Sequence, residues 1–160
     1  MSIPTRRDLG AALVDIFYVL KQTNVGFIGL GLRAKLAPHF PLPVEVSNAC
    51  VEASLINLRA IDGFFAPKKQ KGHETDIIAK DYGYSGGQPF LTKDERTQIN
   101  RRLAHLSWDR ISVTKKAWQA PSMVLRARKE MLTFIKFLET NLANPSDDEI
   151  EEIKDARRFL

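Results

Sequence analysis

The sequence predicts an all-α fold, with about four main helices in an up-down bundle, short extra helices and one long loop at 67–92. Apolar residues recur at spacings of three and four in several segments, and no segment alternates in the manner of a strand. The segment 48–65 is apolar on nearly every side, so we expect a helix buried within the bundle. Polar residues interrupt this segment too often for a transmembrane span.

Length and composition are those of an ordinary soluble globular protein, with 160 residues of which 44% are hydrophobic and 27% charged. We expect a bundle domain over residues 1–145 and a short C-terminal helix over 146–160, packed on the bundle or extending from it. A single cysteine, Cys50, excludes an internal disulfide, and the N-terminus lacks the apolar core of a secretory signal. Both observations favour the cytoplasm. The net charge of +5 is compatible with nucleic-acid contact but does not require it.

The first amphipathic helix is predicted over residues 5–22, from apolar positions at Leu9, Leu13, Ile16, Phe17 and Leu20. Thr23 and Asn24 followed by Gly26 are typical of a helix end. A second, shorter helix is predicted over 30–37 and stopped by Pro38. The glycines at 26, 29 and 31 allow close helix contact or suggest a phosphate loop, but no strand precedes them and no Lys-Ser/Thr follows.

The central helix has Pro43 in its first turn and ends before Pro67. On a helical wheel, Glu52, Arg59 and Asp62 fall within about one quadrant and form a polar stripe on an apolar cylinder. Buried charges are costly unless they are paired, so this stripe needs partners from another helix. We favour a salt-bridge network that fixes helix register, with cross-helix partners among Asn100, His105 and Arg110. The alternative is a grip on a substrate phosphate or a metal.

Two capping boxes predict the starts of later helices. Thr92 and Glu95 open a helix that continues to about 111, and Ser146 and Glu149 open the terminal helix. Between them, a long helix runs from Pro121 to about Leu142, with a predicted core stripe of Met123, Leu125, Met131, Leu132, Ile135 and Leu138.

His105 is the candidate for acid–base chemistry. Arg101 lies one turn before it and Asp109 one turn after it, so the three side chains share a helix face. A carboxylate beside an imidazole holds one tautomer and raises its basicity, while Arg101 can bind a phosphate. In the alternative interpretation, Asp109 only pairs with surface Arg and His residues. The candidate binding residues are Asp62, Asn100, Trp108, Asp109 and Arg110.

Metal binding, cofactors and covalent catalysis are not predicted. The three histidines lie in different segments without metal-ligand spacing, Cys50 is in the apolar helix, and no G-x-S-x-G turn occurs. Basic tracts at 68–71 and at 115–116, the second close to Trp118, are compatible with single-stranded nucleic acid. Solvated loops explain both tracts equally well.

Two helix segments carry a family resemblance, through Arg59, Asp62, Phe64 and Phe65 on one and Asn100, His105, Leu106 and Arg110 on the next. On these residues the stretch 48–111 resembles a group of small, uncharacterised bacterial helical proteins, which implies no established activity. The sequence is also similar to the HEPN superfamily of four-helix bundles, many of which are metal-independent ribonucleases of toxin or defence systems. Those enzymes carry an Arg and a His with four to six residues between them. Here three residues separate Arg101 from His105, and Asn100 occupies the position with four intervening residues.

Two hypotheses about function follow. The first is a non-catalytic bundle that acts through self-association or a protein partner. The second, implied by the resemblance, is a HEPN-like RNA-binding or ribonuclease module, in which His105 is the acid–base and Arg59, Arg101 or Arg102 contacts phosphate. We favour the first, and we expect a homo-oligomer or a protein partner and no membrane association.

Overall fold

The computed structural model describes residues 6–36, 43–69, 75–104, 119–142 and 145–160. Within these ranges the chain forms five α-helices and no strand. They are α1 (Arg6–Leu36), α2 (Val44–Phe64), α3 (Lys93–Ile99), α4 (Ala120–Asn141) and α5 (Asp147–Phe159). The all-α prediction is confirmed, and the helix count agrees with it.

Helix α1 is continuous, so the predicted end near Thr23 is wrong. Thr23 and Asn24 are buried, and the Thr23 hydroxyl donates to the Val19 carbonyl over 2.9 Å. The Ser54 hydroxyl donates to the Thr23 carbonyl over 3.4 Å, which ties this point of α1 to α2. Packing against α2 therefore outweighs the glycine cost of about 1 kcal/mol per residue.

Helices α1 and α2 pack side by side and run antiparallel. The Tyr82 hydroxyl donates to the Leu9 carbonyl near the start of α1, and the Tyr82 ring contacts Phe64 at the end of α2. The start of α1 and the end of α2 are therefore at the same end of the bundle.

An aromatic cluster forms the centre of the core. The buried ring of Phe134 on α4 meets four others edge to face, with centroid distances between 5.1 and 6.2 Å, from Phe64, Phe65, Tyr82 and Tyr84. Of the core stripe predicted for α4, Leu125 is wrong, because its side chain is 66% exposed, and Leu132 is only half-buried and lies outside the core cluster. The buried face follows Met123, Ala127, Met131, Phe134 and Leu138, and Leu125 lies on the opposite side of the helix.

The segment between α2 and α3 is part of the core where the structure describes it. A 3₁₀ turn spans Ala79–Tyr82, and Gly83, with φ of 80°, ends it in the left-handed conformation. Ile78, Tyr84, Phe90 and Leu91 are buried. This long connection therefore covers the ends of α2 and α4 with apolar side chains.

Both predicted capping boxes are confirmed. The Thr92 hydroxyl accepts from the Glu95 N–H, and the Ser146 hydroxyl accepts from the Glu149 N–H. After Ile99, α3 widens into a π turn over Asn100–Ala104, which packs on α2. The rest of the helix predicted to 111 and the linker after it lie outside the described residues.

Helix α5 packs on α1 and α4. Its buried residues are Ile153 and Ala156. Ion pairs at its edges join Lys21 to Glu152 over 3.5 Å and Arg157 to Glu139 over 2.8 Å. The C-terminal helix thus shares the core of the bundle.

Helix α2 is buried on one side only, so the prediction that it is buried all round is wrong. Its inner side presents Leu55, Leu58, Ile61 and Phe65 to the core. The opposite side is exposed to solvent, with Val46 and Ile56 each 45% exposed. Three alanines and three polar residues fill the other exposed positions, which are Glu45, Asn48, Ala49, Glu52, Ala53 and Ala60.

Candidate functional site

The predicted site residues fall into two groups. His105, Trp108, Asp109 and Arg110 lie outside the described residues. Arg59, Asp62, Asn100 and Arg101 are described, and the site is built from these and their neighbours.

Asp62 is the most buried charged residue in the described part of the chain, at 2% exposure. Its Oδ1 accepts a hydrogen bond of 2.8 Å from the Leu91 N–H. Its Oδ2 lies 2.7 Å from the Arg96 Nε. That N–H does not point at the oxygen, since Nε lacks a hydrogen-bond partner, so the contact is an ion pair rather than a hydrogen bond.

Arg96 completes a clamp on the main chain of Leu91. Its Nη2 donates to the Leu91 carbonyl over 2.8 Å, while Asp62 accepts from the N–H of the same residue. Sequence reasoning sought partners for Asp62 at Asn100, His105 and Arg110 and missed Arg96. Helical spacing is the sequence signal that could have identified Arg96. It lies three residues before the buried Ile99 and four before Asn100, and so on the side of α3 that faces α2.

A second arginine holds the neighbouring residue. The Arg126 Nε donates to the Phe90 carbonyl over 2.9 Å, and its Nη2 lies 2.6 Å from both carboxylate oxygens of Glu95. Glu95 also accepts from the Thr92 N–H over 2.7 Å, as the second half of the capping box. Two arginines on two helices therefore fix the main chain at Phe90–Leu91.

The pKa values of the two carboxylates are shifted in opposite directions. Burial raises the pKa of Asp62, against the Leu91 hydrogen bond and the charges of Arg96 and Arg59, which lower it. Glu95 is less buried, and although burial acts to raise its pKa, hydrogen bonds from Thr92 and Arg126 lower it below the ordinary value. Because both oxygens of Asp62 are engaged, this cluster can position a chain segment, whereas proton transfer would require the clamp to open.

The predicted polar stripe of α2 divides into three environments. Glu52 is exposed, Arg59 is half-buried and Asp62 is inside the bundle. The charge of Arg59 acts on Asp62, but the Arg59 Nε is buried and finds no hydrogen-bond partner in the described part of the chain.

Arg59 lines a shallow pocket of about 90 Å³ at the end of α2, together with Lys68, Lys69 and Asp76. Lys69 pairs with Asp81 over 3.1 Å. Arg59 and Lys68 can together attract a small anion, although Asp76 on the pocket wall opposes it.

Asn100 and Arg101 lie in the π turn that follows α3. Asn100 is half-buried and Arg101 is exposed. Neither belongs to the clamp, whose arginine lies one turn earlier.

Across the described ranges, no group of three or more His, Cys, Asp or Glu side chains could hold a metal ion. No helix in these ranges is long and apolar enough to cross a membrane.

The exposed side of α2 carries an apolar stripe, here called the outer stripe: Val46, Ala49, Ala53, Ile56 and Ala60. Its spacings alternate between three and four residues, as in a helix that pairs with another helix. On the adjoining helix α1, Ala11, Val14 and Tyr18 are also exposed, Tyr18 by 59%. The surface of the α1–α2 pair is therefore more apolar than a solvated helix pair requires.

Fold and site together define an all-α bundle with a structural polar clamp inside and an apolar helix face outside. Comparison of the chain with family models, curated proteins and solved structures finds no match in any of the three. The resemblance to HEPN bundles therefore stays an expectation from the sequence.

Proposed function

We propose that this protein is a non-catalytic helical bundle that acts by associating with a second copy of itself through the outer stripe of α2. The single observation that carries the proposal is the exposure of five apolar residues in heptad spacing on one helix. A solvated helix normally presents polar residues at such positions. Pairing with an equal stripe removes this surface from water, and a two-fold dimer uses the same patch on both chains.

The clamp supports a structural role for the polar residues inside the bundle. Asp62 and Arg96 contact both backbone groups of Leu91, and Arg126 contacts the carbonyl of Phe90. These contacts rigidify the bundle that presents the outer stripe. A rigid helix loses little conformational freedom on association, which favours binding.

Sedimentation velocity of the wild type and of Ile56→Glu tests the proposal. Ile56 lies in the middle of the outer stripe, so a carboxylate there would be buried without a partner in the dimer. We expect a dimer for the wild type at tens of micromolar and a monomer for Ile56→Glu, with equal helix content by circular dichroism.

Leu125→Glu is the matched control, because Leu125 is an exposed leucine on α4, away from the outer stripe. This variant should sediment as the wild type does. A wild type that stays monomeric up to about 100 μM, a concentration at which even weak specific dimers form, would overturn the proposal.

A second candidate function is RNA binding, favoured by the pocket that Arg59 and Lys68 line. Fluorescence anisotropy with labelled single-stranded RNA tests it. Lys68→Glu should weaken binding and reduce its salt dependence, whereas Lys136→Glu, an exposed lysine on α4, should not. Equal loss of binding in both variants would indicate non-specific attraction by the net positive charge.

The ribonuclease form of this candidate rests on His105. If it holds, the wild type cleaves RNA in the presence of a chelator, and His105→Ala abolishes cleavage with an unchanged melting temperature. A marked loss of stability in His105→Ala would instead assign His105 to the structural network.

A further inference from the structure

We infer that the second copy packs with its α2 antiparallel to the first, in the register that places Glu52 of each chain opposite Arg59 of the other. The inference rests on the proposed self-association and adds the partner's orientation and register. It is carried by the charges that flank the outer stripe.

The flanking charges are repeated every seven residues. Glu45, Glu52 and Arg59 directly precede Val46, Ala53 and Ala60 of the outer stripe. In heptad terms the outer stripe occupies the two core positions, and these three residues occupy one flanking position. Side chains at this position lie along one edge of a helix pair, where charges decide orientation and partner choice.

An antiparallel pairing brings the same flanking positions of the two helices together. In the proposed register Ala53 faces Ile56, Ala49 faces Ala60, and Val46 faces Gly63 of the second copy. Each large side chain therefore meets a small one. The same register places Glu52 of one chain opposite Arg59 of the other. Because the dimer has two-fold symmetry, this ion pair occurs twice.

Other arrangements lose this complementarity. A parallel pair places this flanking position of the two helices on opposite edges, so Glu52 does not meet Arg59 and the opposite-charge pairs are lost. A shift of the antiparallel register by one heptad in one direction makes Glu52 face Glu52, between two Glu45–Arg59 pairs. A shift in the other direction makes Arg59 face Arg59. Among these arrangements, the proposed register has two opposite-charge pairs and no pair of like charges at this flanking position.

Both charged groups are available for this contact. Glu52 is exposed, and Arg59 is outside the clamp that engages Asp62, Arg96 and Arg126. The Arg59 Nε is buried, so a second chain can reach only the Nη end of this guanidinium. A carboxylate from a second chain supplies an acceptor for the guanidinium.

Charge exchange tests the register by sedimentation equilibrium. Glu52→Arg and Arg59→Glu each turn two attractive pairs into two repulsive ones, so each should raise the dimer dissociation constant by about tenfold. Mixing the two variants restores opposite charges in both pairs, and the mixture should form a heterodimer as tight as the wild type. Glu45→Arg is the matched control, because in this register Glu45 lies beyond the end of the facing helix at Phe64, and its effect should be under about threefold.

A cross-link gives a second measurement that does not alter charge, in case Arg59→Glu fails to fold. In a Cys50→Ser background, Ala49→Cys and Ala60→Cys are prepared as separate proteins and mixed under mild oxidation. The antiparallel register places these positions opposite each other, so the disulfide should form between the two variants and not within either one.

The outcomes separate this inference from the proposed function. A monomeric wild type overturns both. A dimer that Ile56→Glu dissociates, but in which Glu45→Arg weakens association as much as Glu52→Arg, overturns the register alone. Homodimeric cross-links of each cysteine variant would show a parallel pair and also overturn the register alone.

Discussion

The carboxylate of Asp62 lies almost wholly inside the bundle, and both of its oxygens face the segment around Leu91. One oxygen accepts from the Leu91 N–H, and the other pairs with Arg96, which itself donates to the Leu91 carbonyl. A buried carboxylate of this kind suggests a catalytic acid when its contacts are not considered. Its contacts assign it to the support of the main chain.

Asp62→Ala should lower the free energy of unfolding by about 2–3 kcal/mol, because it leaves the Leu91 N–H and the Arg96 guanidinium without their acceptor. Arg96 is 36% exposed, so water relieves part of this loss and the value lies below that of a fully buried pair. Urea denaturation measures it. Glu52→Ala, an exposed carboxylate on the same helix, should change stability by less than about 0.5 kcal/mol. Equal effects of the two substitutions would contradict the clamp.

Glu95 makes stability depend on pH. Its pKa is lower in the folded protein than the ordinary value of 4.5, so the folded state binds fewer protons than the unfolded state in this range. The stabilisation from Glu95 is therefore complete above about pH 4.5 and is lost as the pH falls through the folded pKa.

The stability difference between the wild type and Glu95→Gln should shrink when the pH is lowered from about 6 to about 3. Asp62, whose pKa is raised, has the opposite linkage, but it is present in both proteins and cancels in the difference. Thermal unfolding at a series of pH values measures this. A difference that stays constant with pH would show that Glu95 acts only as a helix cap.

At the scale of single elements, local signals predicted where helices begin. The Thr92 and Ser146 capping boxes and the position of Pro121 depend on residues within one turn, so the sequence contains all the information needed. The predicted end at Thr23 was wrong because burial against α2 overrides weak local propensity. Leu125 was assigned to the core because helical spacing predicts an apolar face but not which face meets a neighbour.

The connection after α2 depends on a close approach at Gly87. A Cβ atom there would lie 2.6 Å from the Phe65 ring, which is buried and cannot move aside. Gly87→Ala should therefore cost about 1–3 kcal/mol, measured by chemical denaturation.

Gly86→Ala is the control for this prediction, because its Cβ atom would be 3.4 Å from the Tyr84 ring, close to an ordinary contact. It should cost less than about 1 kcal/mol. Similar losses at both positions would point to backbone flexibility rather than to the contact with Phe65.

At the scale of the whole molecule, Phe134 connects α4 to α2 and to the segment between α2 and α3. Its ring contacts Phe64, Phe65, Tyr82 and Tyr84. Phe134→Ala should lower the free energy of unfolding by about 3–5 kcal/mol, through lost burial and the cavity left behind. Leu125→Ala, an exposed side chain on the same helix, should be nearly neutral. A small effect of Phe134→Ala in denaturant titrations would show that the aromatic cluster does not hold the three elements together.

The sequence by itself determined the all-α class, the starts of the capped helices and the apolar character of α2, because these depend on residue spacing and on contacts within one turn. Tertiary structure decided which charge of the α2 stripe is buried, which arginine meets it and which face of α2 stays exposed. The wheel placed Glu52, Arg59 and Asp62 together, but their environments differ because α1, α3 and the segment around Leu91 cover only one side of the helix. Burial is a property of the neighbours that a helix acquires, and the periodicity of one helix does not specify them.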